Sequence, residues 1–131
     1  MLYLDTSAVV KLIRPEAESE VLVGFLNRQS VPWVTSVITE LEVVRALRRT
    51  NPELLGNVPA VIARLSRYDV DDVVRATASA YPDPDLRSLD AIHLATADAV
   101  FRPHLTGFLV YDVRLGERAA ALGLPVVSPG S

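Results

Sequence analysis

Leu2-Tyr3-Leu4-Asp5-Thr6-Ser7 is a short apolar run closed by an acid and two hydroxyls, and Phe108-Leu109-Val110-Tyr111-Asp112 repeats the arrangement a hundred residues later. Short runs that are apolar on both faces suit a parallel sheet covered by helices. Pro32-Trp33-Val34-Thr35-Ser36, Tyr68-Asp69-Val70 and Pro125-Val126-Val127 supply further strands. Between them lie helical segments. Thr6 or Ser7 is expected to cap a helix over Ala8–Ile13. Others are expected over Glu16–Asn27, Val37–Arg49 (closed by Asn51-Pro52), Val58–Arg67, Asp71 to about Tyr81, Ser88–Val100 with Ser88 as cap, and Leu115–Leu122 before Gly123. The segments 37–49 and 58–67 follow one another without a strand, so a helical hairpin interrupts the alternation. The expected fold is α/β: a three-layer α/β/α sandwich on a short, mainly parallel central sheet, with residues 1–131 forming one domain.

The chain contains no cysteine, which excludes a disulfide framework and a thiolate zinc site. It has only two histidines, His93 and His104, so a histidine-rich metal site is excluded too. Any metal must be held mainly by oxygen, which points to Mg²⁺ or Mn²⁺. The formal net charge is −3, and Lys11 is the only lysine among 13 basic residues. The arginine bias is compatible with phosphate contacts, because the guanidinium fork matches phosphate geometry. No apolar run approaches the roughly 18–20 residues that span a bilayer. No basic segment followed by a long apolar one opens the chain, so the cytoplasm is the expected location.

Sites in open parallel sheets form beyond the carboxyl ends of the strands. Asp5 and Asp112 follow two such strands, and if these strands are neighbours the carboxylates share one crevice. Two further acids sit in apolar stretches: Glu42 in Leu41-Glu42-Val43-Val44 and Asp90 in Leu89-Asp90-Ala91-Ile92. Glu40 and Glu42 project about 200° apart on a helix, so only one faces the crevice, and helical geometry does not say which. Asp90 lies in a first helical turn, where the dipole by itself favours an anion. Two carboxylates roughly 6 Å apart repel by about 3 kcal/mol at an effective dielectric near 20. Four converging acids therefore need bound protons or a divalent cation among them.

Four motifs in order resemble those of PIN-domain proteins, and most closely the VapC toxins of toxin–antitoxin pairs. They are Leu2-Tyr3-Leu4-Asp5-Thr6-Ser7-Ala8; Thr35-Ser36 with Glu42-Val43-Val44-Arg45-Ala46; Leu89-Asp90-Ala91-Ile92-His93-Leu94-Ala95; and Val110-Tyr111-Asp112-Val113-Arg114-Leu115. The resemblance implies an endoribonuclease dependent on Mg²⁺ or Mn²⁺. Asp5, Asp90 and Asp112 would be the principal metal ligands, and Glu42, chosen over Glu40 because it precedes an Arg-Ala pair, would complete a four-carboxylate catalytic site. Thr6 and Ser7 would bond a ligating carboxylate or a water on the cation. The implied reaction is phosphodiester hydrolysis leaving a 5′-phosphate and a 3′-hydroxyl, with transfer RNA ahead of ribosomal RNA as substrate. The implied partners are a VapB-type antitoxin and a second copy of the chain.

Arg45, Arg49, Arg87 and Arg114 flank the acidic motifs and are candidates for RNA contact. His93 shares a helix face with Asp90 and is read first as a packing residue, second as a support for that carboxylate. Val9, Val10, Leu12, Ile13, Leu22 and Phe25 exceed what one short hairpin must bury, which suggests a groove for a partner helix. A phosphoacceptor receiver domain needs a late lysine that is missing here. A haloacid-dehalogenase-type hydrolase needs an acid where Ser7 stands. The remaining alternative is a non-catalytic PIN scaffold that binds RNA or protein.

Overall fold

A computed structural model describes residues 1–131. Five strands, β1 (Leu2–Leu4), β2 (Trp33–Ser36), β3 (Ser66–Tyr68), β4 (Gly107–Leu109) and β5 (Val126–Val127), form one sheet in the order β3-β2-β1-β4-β5. Every pairing is parallel, so the sheet is wholly rather than mainly parallel. The helices are α1 (Thr6–Ile13), α2 (Ser19–Asn27), α3 (Ile38–Thr50), α4 (Val58–Ile62), α5 (Asp72–Ala80), α6 (Ser88–Ala95) and α7 (Val113–Ala121).

β1 lies at the centre, and its alternating side chains divide the core. Leu2 and Leu4 join Leu109 and the buried faces of α1 to α4. Tyr3 joins Phe108, Val110 and residues of α6 and α7 on the opposite face. This is the three-layer sandwich, and it explains why β1 must be apolar at every position. The chain leaves β1 towards β2 on one side and later returns to β4 on the other. The crevice at the carboxyl ends of β1 and β4 is therefore a topological switch point, where open α/β sheets bind ligands.

Several boundaries differ from the sequence reading. Asp5, not Thr6 or Ser7, caps α1: its side chain accepts the Ser7 N–H. Ser88 does not cap α6, since Arg87 occupies the cap position and gives no side-chain bond. The fourth helix stops at Ile62 and the following strand is Ser66–Tyr68, earlier than Tyr68-Asp69-Val70. Two of its three residues are exposed, so an apolar run could not mark it. The helix expected to reach Val100 is α-helical only to Ala95 and continues as a π-helical turn over Thr96–Phe101. β4 ends at Leu109, two residues before Tyr111, and α7 begins at Val113. The six residues proposed to line a groove are core: Val9, Val10, Ile13 and Leu22 are buried, and Leu12 and Phe25 pack against them. The hairpin of α3 and α4 is as expected, joined by a 3₁₀ segment over Pro52–Asn57.

Candidate active site

Asp5 projects from the end of β1 into the switch-point crevice. Its Oδ2 accepts the Ser7 N–H (3.1 Å) and the Ser7 hydroxyl (2.7 Å). The same hydroxyl oxygen accepts the Tyr111 N–H at 2.9 Å. Ser7 thus ties the first acid to the loop carrying the last. Asp112 caps α7 by accepting the Leu115 N–H on Oδ1 at 2.9 Å, and its side chain is otherwise exposed. Asp90 stands half-buried in the first turn of α6. Burial, then the charges of Asp5, Asp112 and Glu42, raise its pKa above the ordinary aspartate range, with His93 offsetting part of the effect.

Glu42 enters from α3. Its Oε1 accepts the Thr6 hydroxyl at 2.7 Å and lies 2.6 Å from His93 Nε2, while Oε2 takes no hydrogen bond. Burial pushes the Glu42 carboxyl up, but His93 and Thr6 outweigh it and hold the pKa below the usual glutamate value. Glu40 turns away to Arg67, 3.6 Å distant on the surface. The structure therefore supplies the choice that helical geometry alone left open.

His93 is more than a packing residue. It is 1% exposed, and its Nδ1 lies 2.6 Å from the Tyr3 hydroxyl. It supports Glu42, not Asp90. Burial lowers its pKa, but the charge of Asp5, the bond to Glu42 and the charges of Glu42 and Asp90 reverse the sign, so the net shift is upward. The sequence signal for this role is a polar ring inside the apolar run Ala91-Ile92-His93-Leu94-Ala95, since a buried imidazole must find partners. Tyr3 in the first motif is one of them, from 90 residues away.

Arg45, Arg49, Arg87 and Arg114 are exposed and hold no carboxylate within ion-pair distance. Lys11 is committed elsewhere, to Glu16 (2.9 Å) and Glu18 (2.8 Å). No three acids or histidines draw close enough to make a ready-built metal cage. The donor set nonetheless suits a hard cation. Asp5 keeps Oδ1 and Asp112 keeps Oδ2 without a hydrogen bond, and Asp90 makes none at all. No buried side-chain oxygen lacks a partner, so these free oxygens open on the crevice. No lysine or arginine lies within ion-pair distance of them, although His93 Nε2 stands 3.7 Å from Asp5 Oδ1, and oxygen donors are what Mg²⁺ and Mn²⁺ take. The N-termini of α1 and α7 follow β1 and β4 at the switch point and favour anions there.

A wholly parallel five-stranded sheet between helices, with its switch point between β1 and β4, defines an α/β protein of the PIN type. The PIN domain family matches residues 2–107. Ribonuclease VapC35 of Mycobacterium tuberculosis is 54% identical over 132 aligned positions, covering 99% of this chain and 98% of that protein. The crystal structure of Mycobacterium tuberculosis VapC20, a sarcin-ricin loop cleaving toxin, superposes with a TM-score of 0.76 at 16% identity, covering 98% of this chain and 100% of that one. A toxin–antitoxin complex from Klebsiella pneumoniae gives 0.72 at 19% identity, covering 98% of each chain. The chain belongs to the PIN-domain family and, within it, to the VapC ribonucleases.

Proposed function

We propose that this chain is the endoribonuclease toxin of a toxin–antitoxin pair, acting in the cytoplasm and dependent on Mg²⁺ or Mn²⁺. It hydrolyses an RNA phosphodiester at Asp5, Glu42, Asp90 and Asp112. The observation that carries the reading is the pair of carboxylates beyond the ends of β1 and β4, Asp5 and Asp112, each with one oxygen free of hydrogen bonds. When bound, the cation would polarise the scissile phosphate and make water more acidic. Asp5, Asp90 and Asp112 would hold it, with Ser7 keeping Asp5 turned toward the crevice. Glu42, with Oε1 pinned and Oε2 free, would orient the attacking water and take its proton. The N-termini of α1 and α7 favour the anionic phosphate, and Arg45, Arg49, Arg87 and Arg114 would meet the RNA backbone.

Transfer RNA is the substrate class proposed first and ribosomal RNA second. The antitoxin partner is proposed from the VapC family and from the Klebsiella complex, and a homodimer from the family alone. The purified chain, offered total cellular RNA with Mg²⁺, Mn²⁺ or EDTA, tests the reading. Cleavage should need the cation and disappear in Asp5→Ala and Asp90→Ala. Cleavage unchanged in those variants would overturn the acidic-site mechanism.

A further inference from the structure

Two side chains from separate elements meet at one oxygen of Glu42, and a third stands behind one of them. Thr6 opens α1, His93 lies on α6, and behind His93 stands Tyr3 of β1. Tyr3 is 0% exposed and stacks on Phe108 of β4, with ring centroids 5.3 Å apart. The direction of each hydrogen bond follows from the partners. An ionised carboxylate only accepts, so His93 Nε2 carries a proton and donates to Glu42. Nδ1 of a neutral ring then accepts the Tyr3 O–H. Thr6 donates to the same Glu42 oxygen.

We propose that His93, braced by Tyr3, is a positioning residue that fixes Glu42 through Oε1 and reserves Oε2 for the attacking water. The proposal rests on the nuclease reading of Glu42 for its catalytic consequence but not for the clasp itself. A glutamate on a helix surface samples several rotamers. Two donors on one oxygen select a single rotamer, and Tyr3 on the central strand backs His93. A displacement of about 1 Å at such a group costs on the order of 10²-fold in rate.

The two amide substitutions at His93 separate positioning from packing. The Gln amide nitrogen reaches where Nε2 stands, and the Asn nitrogen only where Nδ1 stands. His93→Gln therefore keeps the donor to Glu42, and His93→Asn loses it while keeping a polar group facing Tyr3. In variants shown to be folded by thermal melting, His93→Asn should lower kcat by about 10²-fold with KM little changed. His93→Gln should stay within roughly fivefold of the parent, and His93→Asn should add less than about twofold to Glu42→Gln, since coupled residues are non-additive. Equal losses in Asn and Gln variants, or full additivity with Glu42→Gln, would overturn the proposal.

A second readout needs neither RNA nor cation. ¹⁵N-detected NMR of the imidazole should show His93 protonated on Nε2, with a downfield proton protected from exchange. That proton should shift in Glu42→Gln. An unprotonated Nε2, or a resonance indifferent to Glu42→Gln, would refute the clasp even if neither His93 variant folds. If the parent chain cleaves no RNA while this signature is present, the nuclease reading fails and the clasp stands.

Discussion

Glu40 and Glu42 stand two residues apart on α3, yet one faces Arg67 on the surface and the other is held by Thr6 and His93. Glu42→Gln should lower kcat by about 10²–10⁴-fold, the usual range for a lost general base. Glu40→Gln should leave it within about twofold, because exposed ion pairs contribute little. Steady-state cleavage of one labelled RNA compares the two, and equal losses would refute the assignment. Tyr3→Phe keeps the ring stacked on Phe108 but removes the only O–H aimed at His93 Nδ1. It should cost about 1–3 kcal/mol in urea unfolding, the range for a buried acceptor left unsatisfied. At this scale the acids were legible, because each follows an apolar strand or sits where a charge is costly. The His93 clasp was not, because its partners come from β1 and α3 and local spacing carries no trace of them.

Elements are joined by a few buried polar contacts. Lys11 on α1 is 8% exposed, bonds Glu16 and Glu18 in the turn before α2, and lies over the Tyr111 ring, 4.7 Å from its centroid. α2 begins at Ser19 rather than Glu16, and both acids lie before it. The Lys11 hydrogen bond, against a smaller effect of burial, holds Glu16 below the ordinary glutamate pKa. Its share of stability is therefore full above the unfolded-state value and is lost as pH falls through the lowered one. Burial pushes Lys11 down, but its bonds to Glu18 and Glu16 raise it on balance, so its share is lost only as pH rises through that raised value. Lys11→Met should flatten the loss of unfolding free energy between about pH 5 and pH 3. An unchanged acid limb in urea titrations would refute the coupling. Gly107 opens β4 where a Cβ would come within 2.8 Å of Leu2 Cδ2 and 3.3 Å of Val127 Cγ2. Gly107→Ala should destabilise by about 1–3 kcal/mol through overpacking, measured in the same titrations. The alternation of strands and helices was legible from apolar runs. The bounds of the short edge strand Ser66–Tyr68 were not, because an exposed edge needs no apolar side chains.

Across the whole molecule, the charge of −3 opposes RNA, so approach must be local. Arg45 and Arg49 share one exposed side of α3 without acidic partners. With cleavage blocked by Asp90→Asn, Arg45→Ala/Arg49→Ala should weaken RNA binding and reduce the slope of log K against log salt by about 0.7 per lost phosphate contact. An unchanged slope would remove both from the interface. The order β3-β2-β1-β4-β5 was the least legible feature, because alternation implies a parallel sheet without saying which strands adjoin. That order sets β1 against β4, and Ser7 closes the join to Tyr111 across 104 residues of chain. The consequence lies in protein synthesis. An interrupted translation product that ends before codon 112 has no Asp112, and one that ends before β4 also lacks the strand that borders Asp5. Under the proposed function, a chain released before that point would cleave no RNA.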